Sequence, residues 1–400
     1  MAAPLRGARI VQIAGRPNHD WCKKRIDFMD HQPSPLSRRE VLKVCAMAAG
    51  AGLWPERLWA GTAAPGKPTL HCYRDYSWLR GFSIVPSWGA RIEEAWWSYD
   101  GARMRRELLP ARLMHANCIR LWIECTAWMA DPEKITANFL DAVAAIDEAG
   151  MKTMPCLFNR WHDSRYDYGG TYLENIHKNW NVQQEYVCAL VAPLACDNRV
   201  LIWDLCNEPQ SGAAWAKEMN GEHGKREHDW LSAIAQTVRR CGARQPITIG
   251  TMVGNNIETF ADICDVLCGH PYATDQAGLE RLIAGFHGLR EKFGKPFLVN
   301  ECIPGGKDDD ERGALARIYC ELLSRAGFGW MGWALREGKA ISTRRDRVDA
   351  NGIRKFGFHA FALKDGRLRG GLEFLTEEPR LAPPWERDNV STTDFHGEGA

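Results

Sequence analysis

Short apolar runs alternate with amphipathic segments eight times between residues 81 and 335, and this alternation constrains the fold more than any other feature of the sequence. The apolar runs are typical of strands buried on both faces of a parallel sheet. The intervening segments carry apolar residues at three- and four-residue spacing, as amphipathic helices do. The pattern predicts an α/β fold, specifically a single-domain (β/α)₈ barrel. A doubly wound sheet would need fewer strands or a second domain.

The predicted elements follow the chain in strict strand–helix order. The predicted strands are 81–86, 117–124, 152–158, 200–206, 246–251, 265–269, 296–300 and 328–335. The predicted helices are 91–115 (interrupted near Gly101), 132–149, 181–196, 229–241, 276–293 and 309–326. Asp131 is a suitable cap for the second helix and Gly150 a suitable end.

The amino-terminal residues 1–64 are expected to form an extension with a twin-arginine-type signal peptide. The pair Arg38-Arg39 precedes a modestly apolar run over 44–54 and then small residues, with cleavage expected after Ala60 or Ala64. That run is too short to cross a bilayer comfortably, so no stable membrane insertion is expected after cleavage. An amphipathic surface helix or an interfacial anchor is the alternative interpretation.

Met1 and Met29 are both possible starts of this leader. The leader predicts export by the twin-arginine machinery to the periplasm or the medium. The catalytic domain is expected over 65–376 and an irregular tail over 377–400, where proline, serine, threonine and glycine accumulate.

Composition limits the classes of partner and site that the chain can have. The formal net charge is +1 with both signs interspersed, so nothing indicates a nucleic-acid partner. Seventeen tryptophans suit stacking against sugar rings, although most are expected in the core. Fourteen cysteines are present. Cys264 and Cys268 lack a second Cys/His pair at zinc-finger spacing, so they are interpreted as buried thiols, and disulfides elsewhere cannot be paired from sequence.

Polar residues and one tryptophan lie within or just after the predicted strands, towards the end where barrel enzymes collect their catalytic groups. They are Arg120, Glu124, His162, Asn207, Glu208, His270, Tyr272, Glu301 and Trp333. Two carboxylates without an obvious metal cluster favour glycoside hydrolysis, in which one carboxyl donates a proton and the other acts ionised. Arg120 and Tyr272 would hold Glu301 ionised, with Glu124 as an alternative partner for Arg120.

With these residues in view, the chain resembles the retaining glycoside hydrolases of clan A, most closely family 5, which includes cellulases and mannanases. The matching pieces are Asn117-Cys-Ile-Arg120-Leu, Trp203-Asp-Leu-Cys-Asn207-Glu208-Pro209, His270-Pro-Tyr272, Val299-Asn-Glu301 and Trp330-Met-Gly-Trp333. Gly81-Phe-Ser resembles the first strand of that family.

The resemblance implies a role for each matching residue. Glu208 is similar to the general acid/base and Glu301 to the nucleophile. The other implied roles are substrate binding through Asn207 and Trp333, support of the nucleophile by Arg120 and Tyr272, and bordering the site by His270. His162 stands after Asn159-Arg160-Trp161, displaced from the usual place of a family histidine. The family uses no metal or other cofactor in its chemistry.

The sequence therefore predicts an exported retaining glycosidase that acts on an oligo- or polysaccharide with β-links, of β-glucan or β-mannan type. Double displacement requires the two carboxyl groups to lie about 5 Å apart, against about 6.5 Å or more for inversion. Two alternatives use the same residues. One is a barrel that binds carbohydrate without cleaving it, and the other is a clan A transglycosylase.

Overall fold

Eight parallel strands close into a barrel, as predicted. A computed structural model describes residues 72–159, 180–209, 222–252, 255–340, 343, 359–386 and 395–396. The barrel strands are β1 (Arg80–Ile84), β2 (Cys118–Trp122), β3 (Lys152–Cys156), β4 (Trp203–Asn207), β5 (Ile247–Met252), β6 (Leu267–His270), β7 (Phe297–Cys302) and β8 (Trp330–Gly332). β1 pairs with both β2 and β8, which closes the sheet.

Helices follow the strands on the outside of the barrel. They are α1 (Ile92–Trp97), α2 (Gly101–Glu107), α3 (Leu109–Leu113), α4 (Cys125–Ala130), α5 (Pro132–Glu148), α6 (Trp180–Val191), α7 (Glu222–Arg240), α8 (Asn255–Thr259), α9 (Gln276–Phe293) and α10 (Asp309–Arg325). No helix among the described residues is long and apolar enough to cross a membrane.

Local sequence sets the ends of several helices. The side chain of Asp131 caps α5 by accepting from the backbone N–H of Lys134. α9 begins after Asp275, which caps Gly278, and ends at Gly294 in the left-handed conformation (φ 62°). The predicted helix over 91–115 is three short helices, α1 to α3, because the chain turns before the cap Asp100 and again at Leu108.

Apolar side chains form two clusters, one between barrel and helices and one that fills the bottom of the barrel. The second cluster includes Cys118, Ile202, Cys268 and Leu298, one from each of four strand segments. Because side chains two positions apart point to the same face of a strand, the next inward layer consists of the residues two places further on. Those residues are Arg120, Asp204, His270 and Asn300, all buried.

The ends of the described chain meet below the barrel. Cys72–Tyr73 pairs antiparallel with Phe395–His396, which lies in the predicted tail. Trp385, also from the tail, packs edge-on against Trp78 with ring centroids 5.1 Å apart. The predicted signal peptide and leader, 1–64, lie outside the described residues.

All twelve cysteines in the described part of the chain are free thiols, and Cys264 and Cys268 are both buried. This agrees with their interpretation as small core residues.

Candidate active site

The candidate site is built on the polar layer of the barrel and on the residues that follow it at the strand ends. Arg120 is fully buried and occupies the centre of this layer. Its guanidinium donates to Asp204 Oδ2 through Nε (2.8 Å), to Glu301 Oε2 through Nη1 (2.7 Å) and to Asn207 Oδ1 through Nη2 (2.9 Å). One side chain from β2 therefore fixes groups on β4 and β7.

Glu301 lies on β7 and is 6 % exposed. Its Oε2 accepts from Arg120, and its Oε1 accepts from the hydroxyl of Tyr272 at 2.8 Å. Burial raises the pKa of Glu301 and the charge of Glu208 adds to this, whereas His270, Arg120 and Tyr272 favour the ionised form. Both oxygens are thus oriented by donors.

Glu208 follows β4 and contacts a different set of partners. Its Oε1 lies 2.7 Å from Nδ1 of His270. Its backbone has a positive φ of 46°, and its N–H donates to the carbonyl of Gly250 at 2.6 Å. A non-glycine residue in this region costs free energy, and such residues concentrate at functional sites.

His270 links Glu208 to Asp204 through Asn300. Its Nε2 lies 2.8 Å from Oδ1 of Asn300, whose Nδ2 donates to Asp204 Oδ2 at 3.0 Å. Burial by itself would lower the pKa of His270, but Glu301, Cys268 and Glu208 raise it to about 10. At neutral pH the imidazole is therefore a cation beside Glu208.

The two carboxylates are close enough for joint chemistry. One ligand-type atom each from Glu208, His270 and Glu301 lies within 4.8 Å of the others, an arrangement that can also hold a metal ion. However, Arg120 donates to Glu301 and His270 contacts Glu208, so a cation would compete with two positive groups. The arrangement suits proton transfer and nucleophilic attack by a carboxylate pair.

The structure brings seven of the eight sequence-predicted site residues to this end of the barrel. Trp333 follows β8, is 7 % exposed, and packs against Trp122 with ring centroids 4.8 Å apart. The guanidinium of Arg120 lies 5.0 Å from the centroid of Trp122. His162 lies outside the described residues. The seven residues brought together are Arg120, Asn207, Glu208, His270, Tyr272, Glu301 and Trp333.

Sequence reasoning did not select Asp204, Asn300 and Asn159 as site residues. Asp204 accepts from Arg120, Asn300 and the backbone N–H of Gly250. Asn159 accepts from Asn207 Nδ2 at 3.1 Å. The signal for Asp204 was its charge inside an apolar strand, because a buried carboxylate requires a partner.

A family model matches the part of the chain that contains β2 to β8. The model described as cellulase (glycosyl hydrolase family 5) matches residues 111–338, which contain every described residue of the site. No curated protein matches the sequence.

Solved structures share the fold at low sequence identity. An exo-β-1,4-mannosidase from Opitutaceae bacterium strain TAV5 matches with TM-score 0.58 and 15% identity over 79% of this chain and 61% of that chain. A GH5_18 protein from Streptomyces cattleya, solved with GlcNAc, matches with TM-score 0.57 and 16% identity over 77% and 82%. An endo-1,4-β-D-mannanase from Thermotoga petrophila RKU-1 matches with TM-score 0.54 and 16% identity over 74% and 98%. This chain thus spans about three-fifths of the length of the mannosidase.

Proposed function

Because the chain belongs to glycosyl hydrolase family 5, we propose that it is a retaining glycosidase that cleaves a β-linked glycan, of β-glucan or β-mannan type. The observation that carries the proposal is the pair Glu208 and Glu301, whose nearest oxygens lie within 4.8 Å. Retaining enzymes hold their two carboxyl groups about 5–5.5 Å apart, whereas inverting enzymes leave about 6.5–9.5 Å for a water.

The hydrogen bonds support the proposed division of roles between the two carboxyls. Glu301 accepts one hydrogen bond from Arg120 and one from Tyr272, each on a different oxygen. These donors favour the ionised form of Glu301 and orient it as a nucleophile. The Oε1 of Glu208 lies 2.7 Å from Nδ1 of His270, and we assign Glu208 as the carboxyl that gives and takes a proton.

In the first step Glu301 attacks the anomeric carbon while Glu208 protonates the leaving oxygen, which leaves a glycosyl ester on Glu301. In the second step Glu208 removes a proton from water as the water attacks the anomeric carbon and breaks the ester. The sugar is released with its original anomeric configuration, and both carboxyls return to their starting states.

Charge balance favours one proton on the carboxyl pair. Arg120 and a protonated His270 supply two positive charges, whereas Asp204, Glu208 and Glu301 carry three negative charges when all are ionised. All five residues are nearly inaccessible to solvent. Since an uncompensated charge is costly in a buried site, one further proton makes the group neutral. The proposed acid/base role places that proton on Glu208, from which it passes to the leaving oxygen.

Azide rescue tests the roles separately. Glu301→Gly should lower turnover by at least about 10³-fold, and azide should restore cleavage of an activated β-aryl glycoside. Azide then takes the place of Glu301 and gives the α-glycosyl azide. In Glu208→Ala, azide attacks the glycosyl ester from the opposite face and gives the β-glycosyl azide.

The exposed Glu291→Gly serves as a control and should keep full activity. Exchanged product configurations would reverse the two roles. An inert wild type that still binds a β-glycan would establish the non-catalytic alternative. Transglycosylation would appear as longer products at high sugar concentration.

β-Mannans are the first substrates to screen because two of the structural neighbours are named for mannoside cleavage.

Export belongs to the same proposal. The pair Arg38-Arg39 is the feature that supports recognition by the twin-arginine machinery. Replacing both arginines by lysine should retain the protein inside an expressing cell, while the wild-type chain is found outside the inner membrane. Equal export of both chains would contradict this part.

A further inference from the structure

A cavity of about 1470 Å³ lies beside the carboxyl ends of β1 and β8, and neither Glu208 nor Glu301 lines it. Ser87, which follows β1, and the segment 336–339, which follows β8, form part of its wall. β1 and β8 are neighbouring parallel strands, and both wall segments follow their carboxyl ends. Glu208 and Glu301 also lie at the carboxyl ends of strands, so the cavity and the catalytic pair are at the same end of the barrel. Gly338 allows the two walls to meet, since a Cβ there would lie 2.6 Å from Ser87 Cα.

The accessible charge of this cavity is positive. Its lining contains six basic residues and three carboxylates, although the whole chain has a net charge of only +1. Two of the carboxylates, Glu107 and Glu337, are 1 % and 5 % exposed. By contrast, five of the basic residues face solvent: Arg103, Arg106, Lys339, Lys364 and Arg367.

Some of these charges already have partners. Glu107 accepts from the backbone N–H and hydroxyl of Ser87 (2.9 and 2.8 Å) and from Arg336 Nη1 (3.1 Å). Arg367 pairs with Asp365 at 2.7 Å. Within the described part of the chain, Arg106, Lys339 and Lys364 have no ion-pair partner. These three cations can therefore pair with an anion in the cavity without breaking an ion pair to a described residue.

Glu337 indicates what else the occupant carries. This carboxylate is almost buried in the cavity wall, yet no described residue donates a hydrogen bond to it. The hydroxyl groups of a ligand in the cavity can donate hydrogen bonds to this carboxylate. An occupant with both hydroxyls and an acidic group satisfies Glu337 and the cations together.

We propose that this cavity binds an anionic sugar unit, carrying a carboxylate or a sulfate, of the glycan that is cleaved at Glu208 and Glu301. This inference rests on the proposed function. One segment serves both sites, since Trp333 and Arg336 are three residues apart and their Cα atoms can be separated by at most about 11 Å. A branch or neighbouring unit of a bound glycan can therefore reach the cavity.

Direct binding tests the inference without requiring turnover. The probes are a β-linked oligosaccharide with one glucuronic acid residue, the same oligosaccharide after reduction of its carboxyl group, and a sulfated form. Calorimetric titration of the full chain should give an affinity for the glucuronic acid or the sulfated probe at least about tenfold above the reduced form. The advantage should shrink as salt is added. The carboxylate and sulfate arms identify which acid is preferred.

Two charge-removing variants locate the site. Arg106→Gln and Lys364→Gln should each weaken binding of the preferred acidic probe by about three- to tenfold and leave the reduced probe unaffected. Arg281→Gln removes one exposed arginine on α9, away from the cavity, and should change neither affinity. Because both cavity residues are exposed, hydrolysis of a small aryl glycoside should stay at the wild-type rate and report intact folding.

Equal affinity for the charged and reduced probes would overturn the inference, as would unchanged acidic binding in both cavity variants. Cleavage of neutral glycans with no preference for acidic ones would leave the proposed function standing while removing this inference. Selective binding of the acidic probe by a protein without hydrolytic activity would support this inference and contradict the proposed function.

Discussion

His270 is the residue whose charge state most affects the site. Its pKa is raised to about 10, against an ordinary value of about 6.5. Below pH 6.5 the folded and unfolded chains both bind this proton, and its stabilising contribution is fully present. As the pH rises towards 10, only the folded chain retains the proton, so the free energy of unfolding falls by up to about 1.4 kcal/mol per pH unit.

We therefore expect the stability difference between wild type and His270→Gln to shrink steadily from pH 7 to pH 10. Thermal unfolding of both proteins across this range measures the difference directly. A difference independent of pH would show that His270 does not carry a proton at neutral pH in the folded protein.

Gly250 on β5 is the residue that leaves room for the catalytic network. A Cβ at this position would lie 2.7 Å from Arg120 Nη2, 2.9 Å from His270 Nε2 and 3.1 Å from Asn300 Nδ2. Gly250→Ala should cost about 1–3 kcal/mol of stability through overpacking. It should lower kcat/KM by about 10²-fold, because the groups that orient both carboxylates must move.

Gly285→Ala is the matched control, since nothing lies within 4 Å of a Cβ there. As a helical position on α9, it should gain up to about 1 kcal/mol of stability and keep full activity. Denaturant titration measures the free energy of unfolding of the two variants, and steady-state kinetics measures their kcat/KM. Normal activity in Gly250→Ala would mean that the network does not orient the site.

At the scale of elements, α10 fixes the strand-end segments through one side chain. Arg312 is fully buried, and its guanidinium donates to the carbonyls of Ile303, Pro304, Trp333 and His359. Burial lowers the pKa of Arg312 to about 10. The segment after β7 and the segment after β8 are thus held by the same planar group.

Arg312→Lys should destabilise the protein by about 3 kcal/mol, because one ammonium group cannot reach four divergent carbonyls. KM for the glycan should rise, since the position of Trp333 depends on this contact. The exposed Arg325→Lys on the same helix should change stability by less than about 1 kcal/mol. A KM that is unchanged in Arg312→Lys would show that the segment after β8 is fixed by other contacts.

The elements also show what the sequence can and cannot predict. The bounds of α9 were predicted as 276–293 and are observed as Gln276–Phe293, because Asp275 and Gly294 provide local start and stop signals. α4 and α8 were missed because helices of five or six residues have too few turns for a periodic pattern. Strand ends shifted by a few residues because hydrogen bonding, not apolarity, determines them.

Among the site residues, those in a recognisable sequence order could be predicted, whereas those that act through contacts between distant strands could not. Arg120 lies within β2, and Glu208 and Glu301 stand at strand ends, in a recognisable order along the chain, so they could be predicted. Asp204 and Asn300 act through contacts between strands that are 96 positions apart in the chain. Strand alternation places each on the inner face but does not indicate its partner, which depends on barrel closure and register.

At the scale of the whole molecule, the closed barrel determines how the cysteines respond to reagents. Eight of the twelve described cysteines are buried, five of them on barrel strands, and Cys196 is exposed. Burial raises the pKa of thiols such as Cys118, Cys156 and Cys302, which suppresses the reactive thiolate. A closed sheet has no edge strand at which local opening can begin.

We therefore expect rapid modification of Cys196, the exposed thiol among the described cysteines, and intermediate rates for the half-buried Cys188, Cys241 and Cys320. The thiols on the barrel strands should form a slow group that reacts at a single common rate. That rate should equal global opening, because each of these thiols becomes accessible only when the barrel opens. Peptide mapping after timed alkylation of the native protein measures each site, and it separates Cys22 and Cys45 from the described set. Cys196→Ser should remove the fast phase alone. Distinct rates for thiols on different strands would mean that the barrel opens in parts, and that catalytic groups on neighbouring strands can separate without global unfolding.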